Sequence, residues 1–173
     1  MGHDLALTAF RAIYDANVDY VHATLRRLGV SSAEVEDVAH DVFVAVHRHL
    51  HEYDPTRPMR PWLFGFAYRM ARDHRRLARH KNEVAPPPEI DPRDDAPLPD
   101  EHLEGARARA LCHKALDAMD FEKRAVLVMF DIDGLTAQEI ADHLGIPLNT
   151  AYSRIRLARG EFERHIRKLG EMP

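Results

Sequence analysis

Residues 135–166, LTAQEIADHLGIPLNTAYSRIRLARGEFERHI, contain the start and stop signals of two helices joined by a short turn. Thr136 and Glu139 have the spacing of a capping box, which opens a helix. Gly145 can adopt the positive φ that a tight turn requires, and Pro147 suits the first turn of the next helix. The stretch therefore predicts a helix-turn-helix.

The second helix of this pair has one apolar and one polar side. Its apolar residues recur at helical spacing and are predicted to pack inward: Ala151, Ile155, Ala158, Phe162 and Ile166. Its N-terminal half is where the recognition helix of a DNA-binding helix-turn-helix meets the major groove. The candidate contact residues there are Asn149, Thr150, Tyr152, Ser153, Arg154 and Arg156. An ordinary helical hairpin remains an alternative, because the motif is short.

The other segments also have the periodicity of helices, so the chain is predicted to be all-α. The first helix ends at Gly29, a C-terminal cap, and Ser31 or Ser32 caps a second helix that runs to Leu50. The third begins at Pro61 or Trp62 and runs to about residue 80. Four more are expected at residues 103–119, 122–130, 136–144 and 148–169.

A proline-rich acidic segment divides these helices into two groups. Residues 82–104 hold six of the eleven prolines and carry eight Asp or Glu against one Arg, whereas the segments on either side are nearly balanced in charge. Proline lacks a backbone donor and restricts the residue before it, so neither helix nor sheet continues through such a segment. We expect two small helical domains, residues 1–81 and 105–173, joined by a flexible linker at 82–104.

The third predicted helix carries an unusual concentration of cations, RMARDHRRLARHK at residues 69–81. Its apolar face is predicted to contain Leu63, Phe66, Ala67, Met70, His74 and Leu77. A different side presents the arginine stripe, defined as Arg69, Arg72, Arg76 and Arg79. The stripe is either a solvated surface or a track for phosphates, which bind basic side chains with release of counterions.

Aromatic residues precede the stripe in RPWLFGFAY, residues 60–68. Aromatic planes beside a basic groove are how proteins hold unstacked bases of a single strand. Phe66 falls on the packing face and is predicted to be core, whereas Trp62 and Tyr68 lie closer to the stripe and stay open as base contacts.

The second predicted helix has a polar face that contains an apolar residue. This face carries Asp37, His40, Asp41, Val44, His47, Arg48 and His51. A valine exposed among charges suggests a protein partner. The histidines also allow a metal site, and a metal-dependent hydrolase is kept as an alternative, although histidine spacing alone is a weak signal and a second ligand cluster is missing.

Several classes of protein are disfavoured by composition. The chain has one cysteine, Cys112, so it cannot form an internal disulfide and has few ligands for a structural zinc ion. The N-terminus has no signal-peptide pattern, and no apolar run is long enough to span a bilayer. We therefore expect a cytoplasmic protein with no cofactor and no membrane insertion.

Three motifs together resemble bacterial RNA polymerase sigma factors of the extracytoplasmic-function type. They are VEDVAHDVFVAV (35–46), RPWLFGFAYRMARDHRRLARH (60–80) and LTAQEIADHLGIPLNTAYSRIRLAR (135–159), in the family's order and on either side of a variable linker. The resemblance covers both predicted domains. A stand-alone helix-turn-helix regulator, the other alternative, would leave the first two motifs without a role.

The resemblance implies that the chain binds core RNA polymerase, at the clamp helices of its largest subunit and the flap of its second-largest subunit. The family's D-x-x-Q-x-x-F stretch falls on Asp37, His40 and Phe43, with histidine where glutamine is usual. The residues implied to face polymerase are Asp37, His40, Asp41, Phe43, Val44 and His47. An anti-sigma factor is a further implied partner.

The resemblance also implies contacts with promoter DNA, duplex and single-stranded. The residues implied to bind and melt the minus-ten element are Trp62, Tyr68, Arg69, Arg72, Arg75, Arg76 and Arg79, and the recognition-helix residues above would read the minus-thirty-five element. Arg69 replaces an asparagine that helps form the family's pocket for a flipped base. Met119 and Asp120 stand where Leu-Pro is usual. Catalysis is expected to stay with polymerase, so the chain itself is not an enzyme.

Overall fold

The computed structural model describes the backbone of residues 2–82 and 103–170, and the side chains of residue 8 and of residues 10–78 and 105–170. Within these ranges every regular element is helical, as the sequence predicts. The chain divides into two compact units, residues 1–78 and residues 79–173. Almost all of the predicted linker, residues 83–102, lies outside the described residues.

The first unit is built from three helices. They are α1 (Gly2–Arg27), α2 (Val35–His49), which continues into one 3₁₀ turn (Leu50–Glu52), and α3 (Met59–Asn82). Helix α3 starts two residues before the predicted Pro61, which therefore occupies the first turn, where a missing backbone N–H costs no intrahelical bond. Side chains from all three helices make the core, with Leu25, Val42 and Leu63 fully buried.

Gly29 ends α1 as predicted. Its φ is 94°, a value that glycine adopts without the steric cost of a Cβ. The N–H of Val30 donates to the carbonyl oxygen of Leu25 at 3.0 Å, which satisfies an acceptor at the end of the helix.

The start of α2 differs from the prediction. The N-cap is Glu34, without a side-chain capping bond, and neither Ser31 nor Ser32 occupies that position. Ser31 contributes its main-chain carbonyl instead, which accepts from Val35 N–H at 3.0 Å. The Ser31 hydroxyl donates to Glu34 at 2.6 Å, and the same carboxylate contacts His74 Nε2 at 3.1 Å, so Glu34 ties the start of α2 to α3.

The apolar face of α3 is shorter than the sequence predicts. Leu63, Phe66 and Ala67 are buried, but Leu77 is 62% exposed. Among the described side chains of α3, no residue after Ala71 is buried. The apolar periodicity of α3 continues past the last residue that the rest of the unit buries. Periodicity alone does not show where this burial ends.

From residue 103 to residue 170, the second unit contains four helices and one π-helical turn. They are α4 (Leu103–Asp117), α5 (Phe121–Leu127), the π turn (Val128–Ile132), α6 (Ala137–Leu144) and α7 (Leu148–Gly170). Its core includes Leu116, Met119 and Ala158, with Phe162 packed against them. The sequence predicts an uninterrupted helix to residue 130. The structure instead widens the last turn, so that the N–H of Asp133 donates to the carbonyl of Val128 at 2.9 Å.

Asp120, one of the two departures from the family's Leu-Pro, has a structural role. It is the N-cap of α5, and its side chain accepts from Glu122 N–H at 3.0 Å. An aspartate at this position satisfies one of the unpaired donors of the first turn, so the substitution keeps a helix start.

The helix-turn-helix is confirmed. Thr136 and Glu139 form both bonds of the capping box at the start of α6. Gly145 is left-handed, with φ 63° and ψ 38°. The carbonyl of Pro147 then accepts from Thr150 and Ala151 N–H groups at 2.9 and 3.1 Å, which begins α7. Among the described helices, none is both long and apolar enough to cross a membrane.

Candidate functional site

The α1–α2 depression is a concavity of about 360 Å³ on the first unit. It is lined by Phe10, Tyr14, His40, Phe43, Val44, His47 and Arg48. Aromatic rings form much of the wall: Tyr14 packs on Phe43 with centroids 4.6 Å apart, and the Phe10 ring meets the His47 ring edge-on at 4.8 Å. The depression therefore presents an apolar surface with basic and titratable groups at its edge.

The structure places most of the predicted polymerase-facing residues on this side of α2. Asp37, His40, Asp41 and His47 are exposed, and Val44 is half-buried in the depression. Phe43 is only 3% exposed, and its ring packs against Tyr14 in the wall of the depression. Its contact with polymerase stays a prediction.

Phe10 and Tyr14 are the residues of this surface that sequence reasoning misses. Both fit the apolar periodicity of α1, which predicts core positions for them, yet Tyr14 is 40% exposed. Because they are one turn apart, both rings lie on the same side of α1, where they line the depression with residues of α2.

The arginine stripe belongs to α3, and none of its residues is among those that line the α1–α2 depression. Arg69, Arg72 and Arg76 are exposed. Arg72 pairs with Asp73 at 3.6 Å, an exposed contact that leaves its guanidinium accessible. Arg75 is half-buried and does not share this exposure. The side chain of Arg79 lies outside the described residues.

The aromatic residues beside the stripe divide into core and surface. Tyr68 is 8% exposed and stacks on Phe64 with centroids 6.4 Å apart, so it is mostly core, and its contact with bases stays a prediction. Trp62 is half-buried between Tyr53 and Phe66, at centroid distances of 5.0 and 4.9 Å. Phe66 is core, as predicted. Trp62 is thus the less buried of the two predicted aromatic contacts.

The N-terminal half of α7 presents most of the predicted recognition residues. Asn149, Tyr152, Ser153 and Arg156 are exposed, and Thr150 is half-buried. Tyr152 has 58% of its surface exposed. Arg154 differs from Arg156, because its Nη1 lies 3.5 Å from Glu122 of α5, within the same unit.

Two further ion pairs fix α7 against the elements that precede it. Arg159 donates from Nε to both carboxylate oxygens of Asp131, at 3.0 and 2.9 Å, and its guanidinium lies 4.8 Å from the centre of the Phe130 ring. Lys123 donates to Glu161 at 2.5 Å, and this contact is the main cause of a lowered pKa of the Glu161 carboxyl. The π turn and α5 therefore hold the helix whose exposed face is the candidate DNA surface.

The metal-dependent alternative gains no support from the geometry. Within the described part of the chain, no three His, Cys, Asp or Glu side chains come together as a metal site. His40 and His47 belong to the α1–α2 depression, where aromatic side chains surround them.

Comparison with known proteins identifies both units. Residues 13–81 match the family model of Sigma-70 region 2, and residues 109–161 match that of Sigma-70, region 4. The ECF RNA polymerase sigma factor SigL of Mycobacterium tuberculosis is 32% identical over 92% of this chain and 90% of SigL. SigE of Mycolicibacterium smegmatis is 30% identical over 96% of this chain, which spans 65% of SigE.

Solved structures share the architecture. CnrH, solved in complex with the cytosolic domain of CnrY, has a TM-score of 0.62 and 26% identity, with 91% of this chain and 87% of that chain covered. RpoE of Bartonella quintana, solved with the anti-sigma factor NepR, has a TM-score of 0.67 over 92% of this chain and 97% of that chain. At 17% identity, the second likeness concerns the fold alone.

Proposed function

Because the chain belongs to the extracytoplasmic-function group of sigma-70 factors, which initiate transcription at specific promoters, we propose that its surfaces divide this task. The α1–α2 depression binds the clamp helices of core RNA polymerase. The arginine stripe with Trp62 binds and helps to open the minus-ten element. The exposed half of α7 binds the minus-thirty-five element, and the second unit also contacts the polymerase flap.

The observation that carries this proposal is that the first unit has two surfaces of different chemistry, which share no residue. The depression is aromatic and bordered by histidines, which suits a protein partner, whereas the stripe is cationic and suits a phosphate backbone. A stand-alone DNA-binding regulator has no use for the first of these surfaces. A protein that binds polymerase and DNA together requires both.

The polymerase, in this proposal, supplies the catalysis and much of the DNA affinity. The two predicted domains carry net charges of only +2 and +1, from twelve basic and ten acidic residues in 1–81 and eleven and ten in 105–173. Autonomous DNA-binding domains usually present a much stronger basic field. The chain then works in the cytoplasm, without an active site of its own.

An anti-sigma factor is the regulatory partner that we propose. Support comes from RpoE of Bartonella quintana, which was solved with such a partner and has the same fold. Co-purification of the tagged chain with a protein that blocks its association with core polymerase would identify this partner.

Transcription by purified core polymerase, with and without the chain, on a panel of promoter fragments tests the proposal. Start-site-specific transcripts that require the chain are the expected result. Duplex DNA binding by the chain alone, with no change in polymerase output, would instead favour the stand-alone regulator.

A further inference from the structure

Two histidines converge on one carboxylate where α2 ends. His49 Nδ1 lies 2.9 Å from Glu52 Oε1, and His51 Nε2 lies 3.6 Å from the same oxygen. The two imidazole rings are nearly parallel, with centroids 6.5 Å apart. The side chains of His49, His51 and Glu52 are 48%, 75% and 57% exposed, so the whole group, here named the Glu52 cluster, is open to a ligand.

The Glu52 cluster borders the arginine stripe through Phe66. The His49 ring lies 5.8 Å from the Phe66 ring, and the Arg69 guanidinium carbon lies 4.7 Å from the centre of that ring. The charged group that α3 brings to the cluster is therefore Arg69. The hydrogen bond with His49 is the main cause that lowers the pKa of the Glu52 carboxyl, and the charge of Arg69 contributes to the same shift.

We propose that His49, His51 and Arg69 form a phosphate site for the separated promoter strand, in which the carboxylate of Glu52 is an internal competitor of the DNA phosphate. Carboxylate and phosphate oxygens accept from the same basic donors. A strand that binds here displaces Glu52 and takes over its partners. The inference rests on the proposed function, because it extends the strand-binding surface of the stripe to residues at the end of α2.

The charge of the cluster sets the direction of two effects. At neutral pH, an ionised Glu52 offsets Arg69, so removal of this carboxylate leaves a more positive site. Histidine side chains gain charge between pH 8 and pH 5, so acidification has the same effect. Strand affinity therefore rises when Glu52 is neutralised and when the pH falls.

The test measures binding of holoenzyme, assembled from core polymerase and the full chain, to a fluorescent DNA duplex that contains an unpaired bubble. Glu52→Gln is expected to tighten binding at pH 7.5 by about two- to fivefold, the size typical of exposed charge pairs. Glu52→Asp keeps the charge but withdraws it from His49, and we expect it to tighten binding as well. Asp15→Asn removes a similarly exposed carboxylate from α1 and serves as the control for net charge, with wild-type affinity.

The histidines give a second readout. Wild-type affinity is expected to rise between pH 8 and pH 6, and His49→Gln combined with His51→Gln should remove most of that rise. The same pair of changes, added to Glu52→Gln, should lower the gain from the glutamate variant to the part that Arg69 contributes.

Two results would overturn the inference. Only the second would also reject the proposed role of the arginine stripe. Wild-type binding by Glu52→Gln, with weakened binding by Arg76→Ala, would reject the phosphate site while the stripe keeps its proposed role. Unchanged binding by Arg72→Ala and Arg76→Ala would reject the stripe as a strand-binding surface, and the inference would fall with it.

Discussion

The two arginines at the start of α7 have different environments, although the sequence presents them as equivalent. Arg154 is 34% exposed and lies near Glu122, whereas Arg156 is exposed. An arginine that already pairs with a carboxylate must give up that partner before it can bind a base. Arg156 is therefore the better candidate for direct readout.

We predict that Arg156→Ala lowers transcription from the cognate promoter more than Arg154→Ala. If Arg156 binds a guanine with two hydrogen bonds, its loss should cost roughly 1–3 kcal/mol and relax specificity at one base pair. Transcription from promoters with single changes in the minus-thirty-five element measures both effects. Arg164→Ala, an exposed change further along α7, is the control for charge. A uniform loss on every promoter would indicate a phosphate contact instead.

Val44 is the residue of the α1–α2 depression at which a single change best separates binding from folding. It is half-buried, so Asp at this position stays close to solvent in the free protein. In the complex that we propose, the same charge would be buried against an apolar surface, which is costly. Val44→Asp should therefore weaken binding to core polymerase and leave helix content unchanged.

A pull-down with core polymerase, beside circular dichroism of the free chain, measures this prediction. Ala16→Asp adds the same charge at an exposed position of α1 outside the depression and should bind normally. Equal binding by Val44→Asp and wild type would remove the depression from the polymerase interface.

At the scale of elements, the sequence predicts the positions of the helices better than it predicts which of their side chains are buried by neighbouring helices. Gly29 and Gly145 mark helix ends because their φ angles are positive, a local property that the residue itself reveals. Burial is different, because a buried ring such as Phe43 is covered by side chains of another helix, among them Tyr14. Periodicity identifies the apolar side of a helix but not the length over which a neighbour covers it.

The capping box of α6 allows a prediction about stability. Thr136→Ala removes the hydroxyl that accepts from Glu139 N–H, and the loss of such a cap costs about 0.5–2 kcal/mol. Thr136→Ser keeps a hydroxyl and should cost much less. Urea unfolding followed by circular dichroism compares the three proteins, and equal stability of Thr136→Ala and wild type would show that α6 does not depend on this cap.

The capping box also makes the stability difference between wild type and Thr136→Ala depend on pH. The backbone and hydroxyl of Thr136 donate to Glu139 and lower the pKa of its carboxyl below the ordinary value of 4.5. A group with a lowered native pKa adds stability above its unfolded pKa, and that stability is lost as the pH falls through the native value. The gap between wild type and Thr136→Ala should therefore be full at pH 7 and should narrow below pH 4.5. A constant gap would mean that the bond from the Thr136 hydroxyl to the Glu139 carboxylate contributes nothing, because the variant keeps the bond from the Thr136 backbone N–H.

At the scale of the whole molecule, charge is distributed so that neither predicted domain is strongly basic. The segment between them carries eight of the twenty-eight acidic residues in only twenty-three positions. A chain of this kind binds DNA best when polymerase holds it in place, because the sequence-independent attraction of a large basic field is missing. In the function that we propose, the arginine stripe acts where the promoter strands have separated.

The last prediction concerns that step. Arg72→Ala and Arg76→Ala should weaken open-complex formation on duplex and pre-opened templates alike, because the separated strand needs their charges in both cases. Each should also flatten the salt dependence of strand binding by about 0.7 for every phosphate that the variant no longer neutralises. Trp62→Ala should slow melting of the duplex without a change in that slope, because in the function that we propose the half-buried Trp62 contacts a base and not a phosphate. Transcription from one promoter, as a duplex and with a pre-opened bubble, separates these effects, and the bubble should rescue Trp62→Ala much better than either arginine variant.

Because Trp62 packs on Tyr53 and Phe66, Trp62→Phe serves as the control that keeps the packing. If Trp62→Ala is equally defective on both templates and unfolds more readily than Trp62→Phe, the tryptophan supports the core of the first unit and does not open DNA.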